Sequence, residues 1–169
     1  MAGAGADSGA PRGLHGSGAV AFSTRGEYGV RFMVALARMD HGERVSLTDI
    51  ADEEDLPRAY LEQIVGSLRD AGIVDSQRGA HGGYRLARPA NEVRMGDVLR
   101  ALEGPIVPMA CLAEDGSACN RTGSCTVVHL WSRVRDSVSQ ALDSFTLADL
   151  AQPSAPIALK RSILREEHQ

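Results

Sequence analysis

Lysine is nearly missing from this chain: of its 18 basic residues, only Lys160 is not arginine. Arginine suits forked contacts to phosphate and guanine, although genome composition produces the same bias. Net positive charge is missing too. The formal balance is −4 at pH 7, which excludes a global pull toward nucleic acid, so any such contact must come from a local patch. No apolar run approaches the ~18–20 residues that cross a bilayer, and no membrane partner is expected. The opening MAGAGADSGAPRGLHGSGAVA lacks the basic start and apolar centre of an export signal. Residues 1–21 therefore read as a disordered Gly/Ala/Ser arm, and the expected location is cytoplasmic. Catalytic sets are missing as well: there is no Ser/His/Asp group, no phosphate-cradling loop before a helix and no carboxylate pair beyond surface charge, so the chain does not read as an enzyme. Cysteine is scarce. All three, Cys111, Cys119 and Cys125, lie in CLAEDGSACNRTGSC. A disulfide between two would strand the third, so the count favours a shared ligand.

With 169 residues, 43% of them hydrophobic, one domain with appendages is expected. Helical periodicity begins near Thr24, with Tyr28, Phe32, Met33 and Leu36 on one stripe, and Thr24 to Glu27 fits a capping box. Asp40 to Glu43 breaks this helix. A short second helix spans Ser46 to Asp55, with Leu47, Ile50 and Ala51 inward. A third starts at Leu56-Pro57, buries Leu61, Ile64, Val65 and Leu68, and ends before a left-handed Gly72. Two short helices joined by a tight turn are helix-turn-helix grammar. Strand-like Ile73–Gln77, the turn Arg78–Gly83 and strand-like Tyr84–Ala87 then make a hairpin, which after a helix-turn-helix is the wing of a winged helix. A helix near Met95–Glu103 closes the domain. Thr126 to about Asp143 predicts a long helix whose apolar stripe (Val127, Leu130, Trp131, Val134, Val138, Ala141, Leu142, Phe145) needs a partner surface. A second copy is the economical one, and packing on its own domain is the alternative. The tail from about residue 151 frays.

In a helix-turn-helix the second helix offers its N-terminal residues to the major groove. Here those are Arg58, Ala59, Tyr60, Glu62 and Gln63. Glutamine pairs with adenine and glutamate accepts from cytosine, while Arg58 and Tyr60 are placed to reach phosphate. Ser76 to Arg94 carries Arg78, Arg85, Arg88 and Arg94 against one acid, Glu92, a net +3. Arg78, Gly79 and His81 form the wing tip, where an arginine can enter a minor groove. Against this, Asp49, Asp52, Glu53, Glu54 and Asp55 make the second helix acidic, and winged helices also dock proteins.

The Cys-x7-Cys-x5-Cys spacing is not a zinc knuckle pattern. Iron–sulfur clusters take thiolates at looser spacings, and three thiolates leave one position for another ligand, an arrangement that suits a sensor. His129 follows Cys125 by four residues, one helical turn; an ordinary polar helix residue is the bland alternative. Spacing alone gives Glu27 no role beyond its cap.

These segments together resemble the Rrf2 family of winged-helix regulators, which includes the IscR, NsrR and RirA types. The likeness covers Phe22 to about Leu150 and rests on Arg25–Arg31, Tyr60–Gln63, Arg78–Tyr84, the three cysteines and Phe145–Leu150. It implies a homodimer joined along the long helix, a cluster in each subunit near that interface, and a palindromic duplex DNA site whose affinity follows cluster state. The x7/x5 spacing is more similar to RirA-type and some NsrR-type members than to the x5/x5 of the IscR type. In the IscR type a histidine three residues after the last cysteine completes the site; here that position is Val128, with His129 one further on. In some NsrR-like members an acidic residue of the partner's first helix does so, and Glu27 matches that position. The resemblance thus favours 4Fe–4S over 2Fe–2S and implies a repressor that senses iron, nitric oxide or redox state. A thiol-redox or zinc-holding repressor and an iron–sulfur docking module are the alternatives. The expected architecture is mainly α with a small β-hairpin: arm 1–21, winged helix-turn-helix 22–104, cysteine loop 105–125, dimerisation helix 126–150 and tail 151–169.

Overall fold

The computed structural model describes residues 22–40, 43–79, 82–109, 112 and 125–152. The arm, the wing-tip residues Ala80 and His81, both Cys111 and Cys119, and the tail beyond Gln152 lie outside them. The elements are α1 (Thr24–Met39), α2 (Leu47–Glu54), α3 (Arg58–Asp70), β1 (Val74–Gln77), β2 (Gly83–Leu86), a 3-10 turn (Ala90–Glu92), α4 (Met95–Glu103), α5 (Val128–Asp143) and α6 (Leu147–Ala151). This is a winged helix followed by a long helix, mainly α with one two-stranded antiparallel sheet. Among the described residues no helix is long and apolar enough to cross a membrane.

The core follows the periodicities. Phe32, Met33 and Leu36 of α1, Ile50 of α2, Leu61, Ile64 and Leu68 of α3, and Val98 and Leu102 of α4 form one cluster, each buried on the face their spacing assigns. Helix α1 lies close against α4: a Cβ at Gly29 would stand 2.1 Å from Leu102 Cδ1. The helix-turn-helix bends at Asp55, a left-handed residue (φ 49°), and Pro57 caps α3 in extended conformation. Gly72 is left-handed (φ 67°) just past α3. Strands β1 and β2 pair Val74 with Leu86 through Gln77 with Gly83. A third rung comes from Val45, which exchanges two 2.8 Å backbone bonds with Tyr84; nothing in the residue pattern at 43–46 signals it.

Two expectations change. Helix α1 is capped by Ser23, not Thr24: the Ser23 hydroxyl accepts from the Arg25 amide (3.1 Å) and donates to Glu103 (2.5 Å). Because Ser23 takes the cap one residue earlier, Glu27 falls one position beyond the capping box, and its exposed carboxylate is not spent on a cap. Residues 126–150 are also two helices rather than one. The long helix stops at Asp143, Thr146 and Asp149 form a reciprocal capping box, and α6 turns back onto the body, where Leu147 is fully buried. Phe145, expected on the long helix's stripe, lies past its end and is 52% exposed.

Deleting the Leu147 side chain leaves a cavity where α6 joins the core. Leu147→Ala is expected to cost about 2–5 kcal/mol, read as a lower midpoint in urea unfolding; an unchanged midpoint would show that α6 does not contribute to the body.

Candidate nucleic-acid interface and thiol segment

Helix α3 divides cleanly by face. Leu61, Ile64, Val65 and Leu68 are buried, which leaves Arg58, Ala59, Glu62 and Gln63 exposed at its N-terminal end. Four of the five residues expected to meet base edges or phosphate are thus brought to one accessible surface. Tyr60 is different. Its ring is half-buried in edge-to-face contact with Tyr28 (centroids 5.5 Å, 82°), a geometry aromatic pairs favour, so much of that side chain ties α3 to α1. Arg58 is also engaged: it donates to Thr48 Oγ1 at 3.1 Å and pairs with Glu62 at 3.4 Å. Thr48, near the start of α2, joins this surface only through the fold; no sequence signal marked it.

The wing needs its glycines. Gly79 (φ 118°) and Gly83 (φ 149°) occupy backbone conformations that side chains rarely adopt, and a Cβ at Gly82 would stand 2.4 Å from the Gln77 carbonyl oxygen. Arg78 and Gly79 are exposed at the tip; His81 lies outside the described residues. The net +3 of the wing is tempered by acids beyond its sequence window. Asp75 accepts from Arg85 (3.2 Å) and from Arg44 (2.9 Å). Arg88 pairs with Asp97 at 3.6 Å, and Arg94 donates to the Asp143 carbonyl at 3.1 Å. Among the described residues Arg78 alone of these four arginines has no such partner, which leaves it available for phosphate or a groove. The acidic residues Asp49, Asp52, Glu53 and Asp55 of the α2 region are exposed, whereas Glu54 is bound by Arg31.

Helix α5 has no buried residue. Val127 and Leu130 are 53% and 56% exposed, whereas Trp131, Val134, Val138 and Leu142 are half-buried, so among the described residues the apolar stripe is only partly covered by its own body. Cys125 is half-buried two residues before the N-cap Val127, and its carbonyl accepts from the Val128 amide at 3.4 Å. Because the helix begins at Val128 and not Thr126, Cys125 precedes it, and the shared-face argument for His129 loses its basis. His129 itself is exposed. Among the described residues no three His, Cys, Asp or Glu side chains gather at one point; Cys111 and Cys119 are not among them. The donor set as chemistry, three thiols within one short segment and a carboxylate free of its cap, fits an iron–sulfur cluster.

Comparison with known proteins gives one answer. The Rrf2 profile, described as "Iron-dependent Transcriptional regulator", matches residues 22–153. The HTH-type transcriptional regulator CymR of Bacillus subtilis is 47% identical over 130 residues, 76% of this chain and 88% of that protein. Its solved structure, described as the global cysteine regulator, superposes with a TM-score of 0.65 and 42% identity over 80% of this chain and 99% of CymR. IscR of T. potens gives 0.62 and 38% over 78% and 85%. An oxidized form of Staphylococcus aureus CymR gives 0.61 and 40% over 78% and 96%.

The Arg44 guanidinium beside Asp75 holds its carboxyl below the ordinary aspartate range, partial burial opposes this, and Arg85 adds to it. A carboxyl depressed in the folded state contributes stability above its unfolded value, near pH ~3.9, and loses it as the pH falls through the folded value. An NMR titration of Asp75 should therefore show a midpoint below that of free aspartate, and Arg44→Ala should move it upward. A midpoint indifferent to Arg44 would mean the tie between wing and body is not formed in solution.

Proposed function

From the premise that the chain belongs to the Rrf2 family of transcriptional regulators, we propose that it is a homodimeric iron–sulfur regulator that binds palindromic promoter DNA and changes that binding with iron, nitric oxide or redox state. The observation that carries the proposal is the juxtaposition of an exposed α3 face and a free wing-tip arginine with a long apolar helix that carries a cysteine at its root. Cys111, Cys119 and Cys125 would hold the cluster, with Glu27 of the partner subunit as the fourth ligand and His129 the weaker candidate. When bound, a cluster supplies an iron that small molecules can reach and that is lost when iron is scarce.

The chain's own residues perform the readout. Gln63 is placed to pair with adenine through its amide, and Glu62 to accept from cytosine once it parts from Arg58. Arg78 contributes phosphate or minor-groove attraction without a carboxylate to satisfy it first. The α5 faces of two copies cover each other's apolar stripe, which fixes how far apart the two α3 helices stand. Two half-sites about one helical turn apart tolerate little error in that distance. Any change in the segment that ends at Cys125 is delivered straight to the N-terminal end of α5.

A second reading keeps the DNA chemistry and replaces the cluster with thiol oxidation. It is favoured by the likeness to CymR, described as a cysteine regulator in one species and solved in an oxidized form in another. Anaerobic purification followed by iron, sulfide and zinc analysis separates the two. Equal iron and sulfide that vanish in Cys111→Ala, Cys119→Ala or Cys125→Ala support the cluster; metal-free protein whose DNA affinity follows its thiol state supports the second reading. On DNA, Gln63→Ala is expected to cost about 1–3 kcal/mol at a matched site and to relax preference at one base. Arg78→Ala should weaken all sequences alike and lower the salt slope by about one. Failure of wild-type protein, with or without its cofactor, to shift any promoter fragment would sink the DNA-binding reading.

A further inference from the structure

Among the described residues the hydrogen bonds and ion pairs that tie helix α5 to its own body lie at its C-terminal end. Along its 16 residues no side chain is fully buried, Trp131, Val134, Val138 and Leu142 being half-buried, yet at and just past its C-terminus the chain is pinned three times to the segment that opens α4. The Arg94 guanidinium donates to the Asp143 carbonyl (3.1 Å), the Met95 amide to the Phe145 carbonyl (3.0 Å), and the Leu147 amide to the Val93 carbonyl (2.8 Å). A polar ladder crosses the same joint. Arg100 grips Asp143 with both terminal nitrogens, at 2.7 and 3.4 Å, and reaches Asp97 at 2.9 Å. The other carboxylate oxygen of Asp97 meets Arg88 at 3.6 Å, and Arg88 lies two residues beyond β2. The sequence leaves room for this crossing: a Cβ at Gly96 would stand 1.9 Å from Asp143 Oδ1 and 2.9 Å from both terminal nitrogens of Arg100. Asp143 and Asp97 together also raise the affinity of Arg100 for its proton.

We infer that Arg88, Asp97, Arg100 and Asp143 are positioning residues that set the angle at which the long helix leaves the winged-helix body, and through it the separation of the two recognition helices. This rests on the proposed dimeric DNA-binding reading. These side chains are about a third exposed, at 33–40%, and exposed ion pairs contribute little to stability. Their value is directional. A forked guanidinium–carboxylate contact fixes orientation as well as distance. A 16-residue helix tied at its C-terminal end is a lever about 24 Å long, so a tilt of about 10° moves its far end by about 4 Å. Half-sites on opposite turns of a duplex register such a shift, whereas the fold of each body does not. The ladder runs from the base of the wing to the C-terminal end of α5, so it couples the two elements whose relation decides whether both halves of a site can be occupied at once.

The test uses the full-length dimer. Spin labels attached through p-acetylphenylalanine at Gln77, on the wing of each protomer, report the interprotomer distance by double electron–electron resonance without involving the native thiols. The variants are Arg100→Met, which keeps the aliphatic stem, and the near-isosteric Asp143→Asn. The label distances should spread to a wider distribution in both, with thermal unfolding close to wild type. Affinity for the best-spaced palindrome should fall about three- to tenfold, while palindromes lengthened or shortened by one base pair lose less, so that spacer preference flattens. Unchanged distances with unchanged spacer preference would overturn the inference. So would a uniform loss across all spacers with the distance distribution intact, since that assigns the residues an ordinary structural role. Wild-type protein that binds no DNA would overturn the functional reading instead, and the distance distributions would still decide for or against the ladder.

Discussion

A helix whose apolar face its own body covers only in part is the constraint around which this molecule is arranged. No residue of helix α5 is fully buried among the described residues, yet its apolar residues recur at three and four like those of any core helix. Leaving Val127, Leu130 and their neighbours in water is unfavourable by the ordinary hydrophobic term, and a second copy presenting the same stripe relieves it for both chains at once. In the proposed dimer, everything that positions α5 also positions two DNA-binding bodies. The Leu147 anchor, the Thr146–Asp149 capping box, the two backbone bonds at the start of α4 and the Arg94 bond to the Asp143 carbonyl all serve to return the chain to its body immediately after the long helix.

The candidate DNA-facing surface is economical in charge. The chain is acidic overall, and the structure spends most of its wing arginines on internal ties: Arg85 with Arg44 on Asp75, Arg88 on Asp97, Arg94 on a carbonyl. What remains for a phosphate or a groove is concentrated in Arg78 at the tip and in the head of α3. Such a distribution gives weak indiscriminate attraction and leaves selection to the side chains that meet base edges.

Much of the fold was legible in the residues. The buried stripe of α3, the α4 boundaries Met95–Glu103, the left-handed Gly72 and the glycine-dependent wing all followed from local spacing and backbone sterics. The candidate DNA surface was legible to the same degree, because an exposed face is the complement of a buried one. What local pattern missed was long-range. The Thr24–Glu27 motif satisfied the capping rule, but Ser23 was one residue away and had Glu103 to bond across the fold. The wing's charge was counted in a window that stopped one residue short of Asp75. The long helix ends at Asp143, where its spacing placed the end, but the dimerisation segment drawn to residue 150 gave no sign that Leu147 has a fully enclosed place in the core.

The sequence by itself determined the helices, the turn and wing, the clustering of three thiols, and the family to which they belong, because each depends on neighbours within a few residues or on a motif whose spacing survives without coordinates. Tertiary structure decided which polar groups remain unspent. It released Glu27 from its cap, committed three wing arginines to carboxylate or carbonyl partners, seated Tyr60 on Tyr28, and gathered Arg88, Asp97, Arg100 and Asp143 at the joint of the long helix. The farthest of those partnerships, Arg94 and Arg100 with Asp143 and Tyr28 with Tyr60, join residues tens of positions apart, and only the packing of the helices brings them within reach.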